Sequence, residues 1–388
     1  MLRRAERIRS NRLEIQLPDG TTRVFGPPQA GCAATLRVLD DAFFARVLLQ
    51  GEVGVGESFV DGLWETDDLV GLLMLGAHER PNLGINTLRT GFVSRLLDGR
   101  LHKHRRPQLG VSKSNAEAHY NVGNELYRLF LDPSMTYSCA VFESHDQPLE
   151  QAQRHKHELI ATKARLTGSD HVLDIGCGWG AFALYAARTF GCRVTGITLS
   201  SEQLALAEAR VSEAGLQDLI SLQLCDYREV RGTFDKIVSI GMFEHVGAAY
   251  WSRFFAACER LLAPAGRLVV QTISVPERGL EAHLKGVAWL QKHIFPGGAL
   301  PSVAAMERAL ARTRLALWEV EDISPHYVRT LQHWRSQFLA NLPAVRALGY
   351  DERFVRTWLF YLSFSEAGFR TGYMSDVQVA FGRPPRGL

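Results

Sequence analysis

Long apolar runs are scarce in this chain of 388 residues. The best of them, "LVGLLMLGA" over Leu69–Ala77, is too short to span a bilayer, which restricts any membrane contact to the surface. The start, "MLRRAERIRS", is charged and lacks an apolar core, so no signal peptide is expected. Paired cysteines are absent as well. Cys32, Cys139, Cys177, Cys192, Cys225 and Cys258 stand apart, with no CxxC spacing and no histidine cluster at metal-ligand spacing. Neither a metal site nor a disulfide framework is expected, and the thiols read as reduced in a cytoplasmic protein. An excess of one charge is also missing: a formal net charge of +3 is too small to argue for a nucleic-acid partner. What is present is a globular composition, 46% hydrophobic and 22% charged, in a chain long enough for one large or two ordinary domains.

The pattern along the chain divides it in three. Residues 1–100 read as a small α+β domain: "LEIQLPDGTTRVFG" alternates at the strand period around an Asp-Gly turn, and "ATLRVLDDAFFARVLLQG" and "LVGLLMLGAHE" read as a strand and helices. Residues 101–114, with "HKHRRP", are basic and polar and read as a linker. It is either a plain solvated connector or a contact for anionic lipid head groups. From residue 115 strands and helices alternate through "HVLDIGCG", "GAFALYAARTFG", "CRVTGITLS", "SEQLALAEARVSEAG", "LISLQLCD", "FDKIVSIGM", the helix "YWSRFFAACERLLAPAG" and "RLVVQTIS". That succession predicts an α/β fold with a parallel, helix-covered sheet. Val275 to Leu348 reads as less regular, and a helix "VRTWLFYLSFSEAGF" and a strand "DVQVAF" close the chain.

"LDIGCGWGA" sets Gly176, Gly178 and Gly180 at a strand-to-helix turn, where missing side chains let the backbone approach a ligand. The glycines alone fit a dinucleotide or another adenosine ligand. A dinucleotide site wants an acid at the tip of the second strand, and here "GITLSSEQ" offers Thr198 and Ser200, with no acid before Glu202. Asp174, two residues before the first glycine, suits a ligand that carries an ammonium and a sulfonium, so S-adenosylmethionine is preferred to NAD. "LCDYRE" then supplies Asp226 for the adenine edge, with Tyr227 or Arg228 as a flanking face, unless these three simply form a surface turn.

The fourth strand ends in "IVSIGMFEHVG". In an open parallel sheet the carboxyl ends of the strands face the ligand crevice, so Glu244 and His245 arrive where the sulfonium would lie. Glu244 is a candidate base or positioning group, against the plainer reading of a capping or ion-paired glutamate. "MTYSCAVFE" places Tyr137, Ser138 and Cys139 ahead of the sheet, where they can cover the pocket. Cys139 is either a nucleophile, which would need a nearby base, or a buried spectator.

"AHYNVGNELYRLFLDPSMTYSCAVF", "VLDIGCGWG", "VTGITLSSEQ", "IVSIGMFEHVG", "HIFPGG", "PHYVRTLQHW" and "SEAGFRTGYMSDVQVAF" together resemble the cyclopropane-fatty-acyl-phospholipid synthases, over residues 115–388. "GEVGVGESFVDGLWETDDLVGLL" resembles the lipid-associating amino-terminal domain of the longer members. The resemblance implies a Rossmann-like class I methyltransferase with helical lipid-site insertions, acting with S-adenosylmethionine on the cis double bond of phospholipid acyl chains. It implies peripheral association with the inner face of the membrane and suggests a homodimer.

Cofactor contacts carry over onto Tyr137, Ser138, Gly176, Gly178, Thr198, Leu199, Gln203 and Ile240. The family's bicarbonate base is held by a Cys, a Glu, a His, an Ile and a Tyr. Cys139, Glu244, Ile273 and Tyr327 match, and Gln271 stands where the histidine belongs. An amide offers a donor and an acceptor but exchanges no proton near neutral pH. The alkene attacks the methyl carbon, and aromatic faces can steady the resulting carbocation; Tyr137, Phe243, Tyr327 and Tyr361 are candidates. Proton loss from the new carbon closes a cyclopropane, whereas loss from a neighbouring chain carbon gives a methyl- or methylene-branched chain. Gln271 keeps that second outcome open. A methyltransferase for a soluble molecule and a non-catalytic cofactor- and lipid-binding protein are the other readings.

Overall fold

A computed structural model describes residues 2–28, 31–83, 123–286 and 288–384. The expected linker over 101–114 lies outside them. The chain divides into two compact units. One comprises the described residues of Met1–His104 with Glu281–Pro296 and Trp334–Met374; the other is built from the described residues of Arg105–Leu280, Gly297–His333 and Ser375–Leu388.

In the first unit, strands β1 (Arg12–Gln16), β2 (Thr22–Phe25), β3 (Ala33–Val38) and β4 (Trp64–Glu65) form a sheet in the order β2-β1-β3-β4. The expected hairpin is present: β1 and β2 are antiparallel across Asp19-Gly20, and Gly20 takes a φ of 83°. Alternate residues Leu13 and Ile15 of β1, and Ala34, Leu36 and Val38 of β3, are buried. Trp64 anchors this core. Its indole N–H donates to Val55 O at 3.1 Å and Ser58 Oγ at 3.0 Å, and its ring meets Phe59 at 4.9 Å.

The helix Glu52–Val60 carries Gly56 against Trp289 and Phe360, where a Cβ would come within 2.4 and 2.8 Å of their rings. Those two rings lie far along the chain, inside the stretch that the sequence pattern assigned to the methyltransferase domain. The helices Trp289–His293 and Glu352–Arg370 thus belong to the first unit.

The second unit holds β5 (His171–Ile175), β6 (Arg193–Thr198), β7 (Ile220–Leu224), β8 (Phe234–Ile240), β9 (Leu262–Ser274), β10 (Ala316–Asp322) and β11 (Ser375–Gly382), in the order β10-β11-β9-β8-β5-β6-β7. The strands β5 to β9 pair in parallel, as the alternation of strands and helices predicts. The sheet is not wholly parallel, because β11 runs antiparallel to both β9 and β10. Successive residues serve opposite faces: Leu173, Ile237 and Leu268 enter one apolar cluster, Val172, Val238 and Val269 the other.

Two local expectations change. The helix that begins at Trp251 stops at Leu261, and "LAPAG" belongs to β9, consistent with the bar that Pro264 sets on further helix. The stretch from Val275 to Leu348 is also more regular than its pattern suggests, with helices Glu277–Lys285, Val303–Ala309 and Ser324–Ala340 and strand β10. The chain turns to β6 and β7 on one side of β5 and to β8 and β9 on the other. In sheets of this kind ligands bind at the switch point, which here falls between β5 and β8.

Phe255 is fully buried in the second unit, with Phe243, Phe254 and Phe381 rings 5.3, 5.4 and 5.1 Å away. Phe255→Ala is expected to lower the stability of this unit by about 3–5 kcal/mol, read from the denaturant midpoint. A loss below about 1 kcal/mol would mean that the ring is not packed in this way.

Candidate active site

The glycine loop leaves β5 at the switch point. Gly176, Gly178 and Gly180 have φ values of 83°, 56° and 80°, which side chains disfavour. A Cβ at Gly176 would sit 2.7 Å from Met242 Cγ, whereas nothing lies within 4 Å of a Cβ at Gly178. The loop is therefore packed at its base and open above its middle. Asp174 is buried beneath it, and its Oδ2 makes no hydrogen bond among the described residues. Burial pushes this carboxyl up to about 7, against the pull of Lys156.

At the β6 tip, Thr198 Oγ1 donates to Gln203 Oε1 at 2.8 Å and accepts from Ser200 N at 3.2 Å. Ser200 caps the following helix by accepting from Gln203 N at 3.2 Å, and Leu199 lies between these groups. At the β7 tip the expectation is altered. Asp226 takes the Arg228 backbone N–H at 2.9 Å and its guanidinium at 2.8 and 2.6 Å, so the carboxylate is engaged by its own neighbour. Tyr227 packs in the core against Phe254 at 5.4 Å and does not offer an open flanking face. The Arg228 guanidinium covers the Tyr227 ring, 5.6 Å from its centroid.

The β8 tip brings Ile240, Gly241 and Glu244 to the same end of the sheet. A Cβ on Gly241 would meet Ser138 Cβ at 3.6 Å, Glu244 Oε1 at 3.9 Å and Tyr137 O at 4.0 Å. Tyr137, Ser138 and Glu244 thus converge around one missing side chain. Thr272 Oγ1 donates to Glu244 Oε2 at 2.8 Å, and this bond and the nearby backbone N–H groups of Glu244 and Ile273 favour the ionised carboxylate. Desolvation outweighs these bonds and raises Glu244 to about 7. Desolvation holds neighbouring His245 down to about 4, so it stays neutral and is no ionic partner of Glu244.

Several groups here escape a motif search. Lys156 is fully buried and donates to Ser138 Oγ at 2.8 Å; burial lowers it to about 8. Gln153 donates to Ser138 O at 2.9 Å and so fixes the Tyr137–Cys139 segment. Both lie on the helix Leu149–Ala164, where Lys156 falls four residues after Ala152 and four before Ile160. That apolar spacing is the signal that could have found it. Asp376 and Gln378 enter from β11, opposite Ile273 and Gln271 in the register. Desolvation, reinforced by the Glu244 charge, holds the Asp376 carboxyl far above the usual range.

Of the proposed aromatic faces, Phe243 belongs to the core, with Phe254 at 4.9 Å. Tyr361 lies in the first unit, packed near Phe295 and Trp358. Tyr327 is buried on the helix Ser324–Ala340, within the second unit.

Of the set expected to hold bicarbonate, Gln271 and Cys139 have their donors engaged inside the protein and do not fit an anion. Gln271 Nε2 donates to Cys139 O at 3.2 Å and Asp376 Oδ2 at 3.5 Å, and its Oε1 accepts from Gln378 Nε2 at 3.2 Å. The Cys139 thiol donates to Ala140 O at 3.1 Å and Ile323 O at 3.7 Å. Burial also raises that thiol well above its ordinary range, so it is neither a thiolate nucleophile nor a stand-in charge.

The open glycine loop, the unpartnered buried carboxylate oxygen of Asp174 and the polar β6 tip do fit S-adenosylmethionine. Sheet and site define a class I methyltransferase that uses this cofactor. Residues 108–379 match the mycolic acid cyclopropane synthetase family, and the chain belongs to it.

It is 36% identical over 388 residues to a tuberculostearic acid methyltransferase of Mycobacterium tuberculosis, covering 94% of this chain and 86% of that one. It is 38% identical over 355 residues to the cyclopropane-fatty-acyl-phospholipid synthase of Escherichia coli, covering 90% and 88%. The mycolic acid cyclopropane synthase CmaA1, solved with SAH and CTAB, superposes with a TM-score of 0.65 at 33% identity, over 71% of this chain and 98% of that one. The chain is an S-adenosylmethionine-dependent methyltransferase of the cyclopropane-fatty-acyl-phospholipid synthase type.

The Glu244 shift also bears on stability. The folded state binds this proton more tightly than the unfolded chain, so the contribution of Glu244 declines as pH rises from 4.5 to about 7. Glu244→Gln, which stays neutral, is expected to be more stable than the wild type at pH 8 by up to about 3 kcal/mol, with the gap closing below pH 4.5. Denaturant melts of the two proteins at both pH values check this. Equal midpoints at pH 8 would contradict it.

Proposed function

We propose that this enzyme transfers a methylene from S-adenosylmethionine to the cis double bond of unsaturated phospholipid acyl chains, forming cyclopropane fatty acyl groups. The observation that carries the reading is Glu244: a buried, hydrogen-bonded carboxylate at the strand tip beside the glycine loop. Similarity to a cyclopropane-fatty-acyl-phospholipid synthase over 90% of the chain supports the acyl-chain substrate. When bound, S-adenosylmethionine supplies an electrophilic methyl carbon.

The residues of the chain do the rest. Gly176, Gly178 and Gly180 let the backbone approach the cofactor, and Asp174 receives its ammonium. Thr198, Leu199, Ser200, Gln203, Ile240, Tyr137 and Ser138 would hold the rest of the cofactor. A double bond is a weak nucleophile, so most of the acceleration comes from alignment and from exclusion of water. The Tyr137 and Tyr327 rings steady the carbocation that follows attack. The first unit is the part that associates with lipid at the inner face of the membrane, and the family resemblance suggests a homodimer. No helix among the described residues is long and apolar enough to cross it.

The test is to incubate the protein with S-adenosylmethionine and vesicles of monounsaturated phospholipid, then examine the acyl chains by mass spectrometry and NMR. A mass gain of one methylene, with loss of olefinic protons and appearance of cyclopropane protons, is expected. Retention of an alkene that bears a methyl or methylene branch would replace this reading with the branching one. Gain only on a soluble acceptor would exclude both.

A further inference from the structure

Ring closure requires a proton acceptor, and the surroundings of Gln271 limit what that acceptor can be. Gln271 faces Gln378 across the β9–β11 pair, and both are buried. The bonds to Cys139 O, Asp376 and Gln378 commit both amide hydrogens and the carbonyl of Gln271 inside the protein. A small anion here would meet the carboxyls of Glu244 and Asp376 in a site removed from water, which is unfavourable on both counts. The buried cation Lys156 donates to Ser138, and its charge is already shared with Cys139 and Asp376.

Glu244 is placed differently. Its Oε2 accepts from Thr272, while Oε1 lies 3.9 Å from where a Cβ on Gly241 would sit, a position also ringed by Ser138 and the Tyr137 carbonyl. Any side chain at 241 would fill the gap between this oxygen and the segment that covers the cofactor.

We propose that Glu244 is itself the base of this enzyme, and that no exogenous bicarbonate takes part; this rests on the reading of methyl transfer to an acyl double bond. A C–H bond of the newly attached carbon breaks, and its electron pair closes the third C–C bond of the ring. The proton passes to Oε1 of Glu244. Carbocation and carboxylate become a neutral ring and a neutral carboxyl, and the proton leaves to solvent before the next turnover. Charge disappears in the step, so a dry site favours it. The ionisable groups around Glu244 are Asp376 from β11, neutral His245 on its own turn, Cys139, and Lys156 behind Ser138. Desolvation and the Glu244 charge both raise the Asp376 carboxyl above its ordinary range.

The experiment measures S-adenosylhomocysteine release with monounsaturated phospholipid vesicles, in buffer purged of carbon dioxide and again with bicarbonate restored. Release counts turnover whichever lipid product forms. The wild type is expected to keep its rate within about twofold in purged buffer, and Glu244→Gln to lose about 100-fold or more in kcat, the scale of general-base catalysis. Calorimetry should show that the variant still binds S-adenosylmethionine. Wild-type kcat should rise with pH through about 7, and the residual rate of the variant should not. A wild-type rate that collapses in purged buffer and returns with bicarbonate would overturn the proposal, as would a variant within about threefold of wild type. Absence of lipid-stimulated release by the wild type in both buffers would overturn the functional reading, and this proposal with it.

Discussion

Desolvation of carboxyl groups is the constraint on which the site depends. Asp174, Glu244 and Asp376 lie buried around the strand tips of the second unit, and burial is the largest influence on each. One cation, Lys156, is buried with them and is itself pushed towards neutrality. In water, these carboxyls would ionise well below neutral pH and make poor bases at pH 7. In the dry crevice, Glu244 sits near the pH at which an enzyme works, which is the condition for efficient proton removal. The arrangement destabilises the fold to gain function, as active sites often do.

The sheet makes this burial possible. Its inner strands are covered on both faces by apolar clusters, which keeps the polar groups at their carboxyl ends out of bulk water. The antiparallel β11 matters as much as the parallel strands, because it places Asp376 and Gln378 against Ile273 and Gln271. Small residues then set the clearances. Gly176 admits Met242, Gly178 leaves the loop open, and Gly241 leaves room beside Glu244.

Much of this was legible in the sequence because the signals are local. The glycine loop, the run of strands and helices, the Asp-Gly hairpin and the tip at Glu244 all follow from short-range pattern and from the rule that ligands sit at strand ends. What was not legible depends on distant contacts. Nothing near Trp289 or Phe360 announces that they close the core around Gly56, so residues of the later part of the chain were assigned to the other unit. Tyr227 and Phe243 looked like ligand faces because an aromatic at a strand tip serves a core equally well. Lys156 hid as one charge in a charged helix, and Asp376 and Gln378 as polar residues in a closing strand. The departure at Gln271 was visible, but its meaning was not, since it lies in the partners of the amide.

Desolvation brings Glu244 to a pKa fit for a base, and titration of that carboxyl measures it directly. Protein labelled with carbon-13 at the glutamate side-chain carboxyl, compared with the Glu244→Gln variant to assign the resonance, would be followed by NMR across pH. One glutamate resonance, absent from the variant, is expected with a midpoint at about 7. A Glu244 midpoint near the ordinary value of about 4.3 would contradict it.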